Sequence, residues 1–153
     1  ARMPSSNKEE LNLSEIVENT ISFFDPLSSG ILKLDKACFV FADHDQIVRV
    51  LNNLLNNAIE AVSDDETPLV TVSLEKGDNK VLLQVTDNGV GIPLEQQEKI
   101  FEPNFTTKTS GTGLGLAIVK RIIDDLNGHI YFESVLNKGT TFYISLPLLK
   151  QKA

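Results

Sequence analysis

Three short stretches of this 153-residue chain combine residue types that can do chemistry. From Val85 to Pro93 it reads V-T-D-N-G-V-G-I-P, a carboxylate, an amide and two glycines directly after strand-forming residues. Asp-Asn-Gly is good turn chemistry, so a surface turn and a binding loop both fit this stretch taken alone. From Leu51 to Glu60 it reads L-N-N-L-L-N-N-A-I-E, although asparagine is a mediocre helix former. Asn53, Asn57 and Glu60 fall on one helical face. That pattern suits a solvated surface, or neutral amide oxygens offered to a hard cation such as Mg²⁺ that shares its ligands with phosphate. From Gly111 to Leu116 the chain reads G-T-G-L-G-L at the opening of a helix. Glycines let backbone amides approach a ligand and a helix N-terminus collects unpaired N–H groups, so phosphate oxygens suit this place as well as a plain turn does. It is not a dinucleotide fingerprint, because Leu116 stands where the final glycine belongs, and it lacks the G-K-[ST] of a phosphate-loop NTPase.

The elements that must hold these stretches alternate between helix and strand. The start, A-R-M-P-S-S-N-K-E-E, is polar and proline-marked and reads as a linker. From Ser14 the spacing of Ile16, Val17, Thr20, Phe23 and Phe24 predicts a helix that Pro26 stops. Short apolar runs at 31–34 and 38–41 predict strands. Asp43 precedes Gln46 by three residues in a capping-box arrangement, and a helix follows through Val62. Its apolar stripe is Ile47, Val50, Leu51, Leu54, Leu55, Ala58 and Val62. Val70, Val72 and Leu74 alternate with polar residues in a strand, and 80–86 forms its partner across the hairpin sequence K-G-D-N. After a long Gly/Pro/Thr-bearing segment, a helix opens at the third stretch and ends near Asn127-Gly128, where the glycine suits a helix stop. Strands at 130–134 and 140–146 finish the chain, the second with Phe142, Ile144 and Leu146 inward.

Length and composition frame this as one globular domain, with 41% apolar and 23% charged residues. A net charge of -7 with no basic patch argues against nucleic-acid binding. The one cysteine, Cys38, sits in an apolar run and reads as a core residue; no disulfide within the chain is possible, which fits a reducing compartment. No apolar run approaches the length of a membrane span, so no direct membrane contact is expected. The chain begins with Ala1 and not Met, as a fragment of a longer protein would.

Taken in order, N-L-L-N-N-A-I-E-A, D-N-G-V-G-I-P, I-F-E-P-N-F-T-T-K and G-T-G-L-G-L closely resemble the N, G1, F and G2 boxes of the catalytic and ATP-binding domain of sensor histidine kinases, in the GHKL ATPase superfamily. The resemblance runs from about Leu13 to Leu148, and A-R-M-P resembles the stretch after the dimerisation helices of nitrogen-regulation-type kinases. With the pattern of elements, it implies an α/β two-layer sandwich, the Bergerat fold, with helices on one face of a mixed, mostly antiparallel sheet. It implies ATP and Mg²⁺ as cofactors. Residues 1–12 would be a linker after an absent dimerisation domain, 13–149 the ATP-binding domain and 150–153 a tail. Asp87 would accept a hydrogen bond from the exocyclic amine of adenine, with Gly89 and Gly91 letting the backbone fold beneath the base and Ile92 beside them. Asn57 would ligate the metal, with Asn53 one turn earlier on the same face. Residues 93–112 correspond to the ATP lid, in which Phe101 and Phe105 anchor by packing and Thr107 and Lys108 face the phosphates. Gly111, Thr112, Gly113, Leu114, Gly115 and Leu116 would complete the phosphate side.

The chain departs from the family pattern in places. Glu60 and Ala61 stand where many members carry a basic residue and an aromatic, and Asn104 stands where a second phenylalanine is expected. The phosphoacceptor histidine belongs to a separate helix, and neither His44 nor His129 has the sequence context of one. The implied activity is therefore transfer of the ATP γ-phosphoryl to a histidine on dimerisation helices of the same parent kinase, which pass it to a response regulator. The chain by itself would be a cytoplasmic monomer that does not autophosphorylate, whether or not its parent is membrane-anchored. A GHKL-type ATPase would need a glutamate one turn before the metal asparagine, where Asn53 stands. An anti-sigma-factor serine kinase and a non-catalytic nucleotide sensor share the boxes and remain as alternatives.

Overall fold

The computed structural model describes residues 7–103 and 115–150. In chain order the elements are β1 (Glu9–Asn12), α1 (Leu13–Ile21), β2 (Ser29–Leu34), β3 (Phe39–Ala42), α2 (His44–Glu60), β4 (Val70–Lys76), β5 (Lys80–Thr86), α3 (Leu94–Gln97), α4 (Gly115–Asp125), β6 (His129–Val135) and β7 (Gly139–Pro147). Five strands form one sheet in the order β2-β4-β5-β7-β6, and β1 pairs with β3 in a separate ribbon. The β2–β4 pair is parallel and the other pairs are antiparallel, as expected of a mixed, mostly antiparallel sheet.

Period-two alternation decides which face of the sheet is buried. Val70, Val72 and Leu74 of β4, Val81, Leu83 and Val85 of β5, and Phe142, Ile144 and Leu146 of β7 all turn inward. Register stacks them, with Leu83 opposite Ile144 and Val85 opposite Phe142. Helices α1, α2 and α4 cover this face with Leu13, Ile16 and Val17, with the apolar stripe of α2, and with Val119, Ile122 and Ile123. Every residue of the α2 stripe named from the sequence is buried. The opposite face stays polar and aromatic, with the Thr86 and Thr141 hydroxyls 3.0 Å apart and Tyr131 stacked on Tyr143 at 4.7 Å.

Local chemistry sets the ends of the helices. Asp43 caps α2 by accepting from Gln46 N at 3.1 Å. The reciprocal half of the capping box is missing, for Gln46 Oε1 is buried without a partner. The second oxygen of Asp43 accepts from Asn7 N at 2.7 Å, so one carboxylate ties the entering chain to the start of α2. Glu9–Asn12, inside the stretch read as linker, form a strand because β3 supplies a partner. Helix α1 ends at Ile21 and leaves Phe23 88% exposed, so that residue is not on the buried stripe where its spacing put it. At the end of α4 the left-handed residue is Asn127, at φ 58°. Gly128 is needed for space instead, since a Cβ there would lie 2.5 Å from Ser145 O.

The turn between β6 and β7 carries the tightest approach. Gly139 has φ 130°, and a Cβ on it would collide with the carbonyl oxygen of Asp87. Gly139→Ala is expected to lower stability by at least about 2 kcal/mol, through strain and displacement of the Asp87 backbone, as read by urea unfolding. At the other end of the molecule, the Asn7 N–H and then the Gln46 N–H hold the Asp43 carboxyl below its ordinary value of 3.8. A lowered carboxylate pKa stabilises above the ordinary value, and that contribution disappears as pH falls through the folded value. Asp43→Asn should therefore flatten the acid limb of stability below about pH 4 and leave its shape near neutrality unchanged, measured as urea midpoints across the acid range.

Candidate nucleotide site

Asp87 continues β5 by one residue and is 7% exposed. Its N–H donates to Thr140 O at 2.9 Å. Its Oδ1 accepts from Gly89 N at 2.8 Å and from Thr140 N at 3.2 Å. One donor comes from its own loop and the other from the neighbouring strand, so the carboxylate is oriented from two directions. Buried charge requires such bonding, and two backbone donors fix a side chain more firmly than a single flexible partner would.

The glycines of this loop serve the protein's own packing. A Cβ on Gly89 would lie 2.6 Å from Ala61 O at the end of α2, and Val90 N donates to that same oxygen at 2.9 Å. Gly91 has φ 78°, and a Cβ there would lie 2.5 Å from Val135 O. Both glycines therefore lie against protein backbone, at α2 and at the end of β6. Ile92 N is taken up by Ser134 Oγ at 2.7 Å, and Ser134 Oγ lies 2.8 Å from Thr140 Oγ1. Gln97 of the short helix α3 then holds Ile92 O at 3.0 Å.

Helix α2 joins this loop to the start of α4. Ala61, at its C-terminal end, abuts Gly89. Two turns earlier, Asn53 Nδ2 donates to Gly115 O in a long bond of 3.5 Å at the first residue of α4. Asn57 lies between them, half-buried, about 6 Å along the axis from either. Glu60 is exposed and Ala61 is the helix cap. Leu116 is half-buried against the core. Phe101 packs edge-on against Phe132 and Phe142, with ring centres 5.9 and 6.4 Å away. Asn104, Phe105, Thr107, Lys108, Gly111, Thr112, Gly113 and Leu114 lie outside the described residues.

Sequence reasoning missed Gly139, Thr140, Ser134 and Asn88, all of which touch the Asp87 segment. The N-K-G-T run leading into β7 has the composition of a tight turn, but it does not say which backbone that turn would meet. Among the described residues, no group of three His, Cys, Asp or Glu side chains could hold a metal ion. Nor is any helix among them long and apolar enough to cross a membrane.

Comparisons with known proteins give the family and the fold. The profile of the histidine kinase-, DNA gyrase B- and HSP90-like ATPase family matches residues 42–150. The sensor histidine kinase ZraS of Salmonella typhi is 45% identical over 111 residues, which cover 72% of this chain and 24% of that protein. The signal transduction histidine-protein kinase AtoS of Escherichia coli is 35% identical over 157 aligned positions, covering 99% of this chain and 26% of AtoS. The chain thus spans about a quarter of the length of these curated relatives. Among solved structures, a nucleotide-free catalytic domain of the histidine kinase ThkA superimposes with a TM-score of 0.80 at 36% identity, covering 93% of this chain and 96% of that one. The chain belongs to the histidine kinase-, DNA gyrase B- and HSP90-like ATPase family, and within it is similar to the catalytic domains of sensor histidine kinases.

Proposed function

We propose that this domain holds ATP with its base at Asp87 and its phosphates between Asn53, Asn57 and the start of α4, and transfers the γ-phosphoryl to a histidine of its parent kinase. The observation that carries this reading is the buried Asp87 carboxylate, held by two backbone amides at the end of the helix that bears both asparagines. A carboxylate so held accepts from the exocyclic amine of adenine. Guanine presents an oxygen at that edge, which repels it and leaves a buried acceptor unsatisfied, at a cost of roughly 1 to 3 kcal/mol.

The amide oxygen of Asn57, on the half-buried edge of α2, has the hard, neutral character that suits Mg²⁺ shared with phosphate oxygens. Bound there, the ion would neutralise phosphate charge. The N-terminus of α4 would add positive potential there, and Lys108 is read from the sequence as a further phosphate contact. Hydrolysis is disfavoured because Asn53, in the place where a hydrolase needs a proton acceptor, is an amide and cannot take a proton from water. The acceptor histidine would come from dimerisation helices of the longer protein, with a response regulator downstream and the domain itself cytoplasmic and monomeric.

Calorimetric titration of the native chain with an ATP analogue, ADP and GTP, with and without Mg²⁺, is expected to show Mg²⁺-dependent binding of adenine nucleotides alone. Asp87→Asn should weaken that binding by at least about tenfold while the fold is retained. Equal affinity for GTP, or native affinity in the variant, would remove Asp87 as the base anchor. With labelled ATP, the isolated chain should take up no label and an added helix pair bearing the acceptor histidine should. Label on the isolated chain would contradict the proposed direction of transfer.

A further inference from the structure

The segment from Ala61 to Leu69, between α2 and β4, is fastened to the Asp87 loop at two points. One is the backbone bond from Val90 N to Ala61 O, which any side chain at position 90 permits. The other is made by a side chain. Asn88 Oδ1 accepts from Leu69 N at 2.8 Å and Asn88 Nδ2 donates to Thr67 O at 3.1 Å, so one amide serves as a strand partner for residues 67–69. A primary amide carries a donor and an acceptor on two separate atoms at equal reach, which neither a carboxylate nor a hydroxyl does.

Asn88 follows Asp87 directly, and the two side chains brace the same piece of backbone from different neighbours. Asp87 is tied to Thr140 on β7 and Asn88 to the segment before β4. From this geometry we infer that Asn88 is a positioning residue for base recognition: it fixes the backbone on which Asp87 stands and holds residues 61–69 as a wall beside the base. The inference rests on the reading of Asp87 as the adenine anchor. Asn88 itself touches no nucleotide and acts through Asp87 and the wall.

The test measures ATP affinity by calorimetry and amide exchange at Leu69 by NMR, in the native chain, Asn88→Ala, Asn88→Asp and Asn12→Ala. Asn12 caps α1 by accepting from Ser14 N at 3.1 Å, so its loss supplies a structural defect on another element. In Asn88→Ala, exchange at Leu69 should accelerate and ATP affinity should fall roughly tenfold. In Asn12→Ala, affinity should equal that of the native chain. Asn88→Asp keeps the acceptor for Leu69 and loses the donor to Thr67, so it should retain Leu69 protection and recover part of the affinity. Should the alanine variant fail to fold, the aspartate variant carries the test, with reduced affinity expected beside a protected Leu69. Native affinity in the Asn88 variants, or an equal fall in Asn12→Ala, overturns the inference. A native chain that bound no ATP would instead overturn the adenine-anchor reading, and this inference with it.

Discussion

A buried carboxylate held between two strands' worth of backbone is the constraint on which the rest of the molecule depends. Asp87 receives one N–H from its own loop and one from Thr140, and it can do so only if β5 and β7 keep their register. That register is specified by the core, because a slip of one residue would turn Val81, Leu83 and Val85 away from Phe142, Ile144 and Leu146. Apolar packing thus fixes a polar geometry at the edge of the sheet. Gly139 completes the arrangement, for only a residue without a Cβ lets the turn lie against the Asp87 carbonyl.

Helix α2 carries this precision to the second half of the site. Its buried stripe, with Leu51, Leu54 and Leu55 nearly inaccessible, seats it on the sheet and leaves little freedom to rotate. Asn53 and Asn57 are poor choices for helix propensity, and the strongly buried stripe offsets that local cost. One end of α2 abuts the Asp87 loop and its middle meets the first residue of α4. The base side and the phosphate side of the proposed site are therefore set by one rigid body.

Much of this was legible in the sequence because it depends on periodicity. The alternation in β4 and β7 and the stripe of α2 each name their own buried face, and the structure agrees residue for residue. The misreadings share a different cause. Phe23 has helical spacing, yet its helix has already ended at Ile21, and no local pattern announces that stop. Glu9–Asn12 look like linker because a four-residue polar strand exists only through its partner β3. Asn88, Ser134 and Thr140 were passed over because their bonds join residues that are 19, 42 and 53 positions apart. The glycines were recognised as close-approach positions, but the sequence does not say whether protein or ligand does the approaching. Four motifs in order identified the family where any one of them alone was ambiguous.

The placement of the two histidines bears on where a phosphoryl group can go. His44 is the first residue of α2, while the Asp87 loop abuts the far end of that 17-residue helix, about 25 Å away along the axis. Asn53 is nearer but still about 13 Å along from His44. His129 opens β6 opposite Ser145, and the turn that touches Asp87 lies beyond the other end of that seven-residue strand, about 20 Å on. In-line transfer needs reacting atoms within about 3.5 Å, and neither histidine can close such gaps without dismantling the helix or sheet that holds it. On the proposed reading, with the nucleotide between Asp87 and the start of α4, the accepting imidazole is therefore neither His44 nor His129 and would have to be presented by another part of the parent kinase.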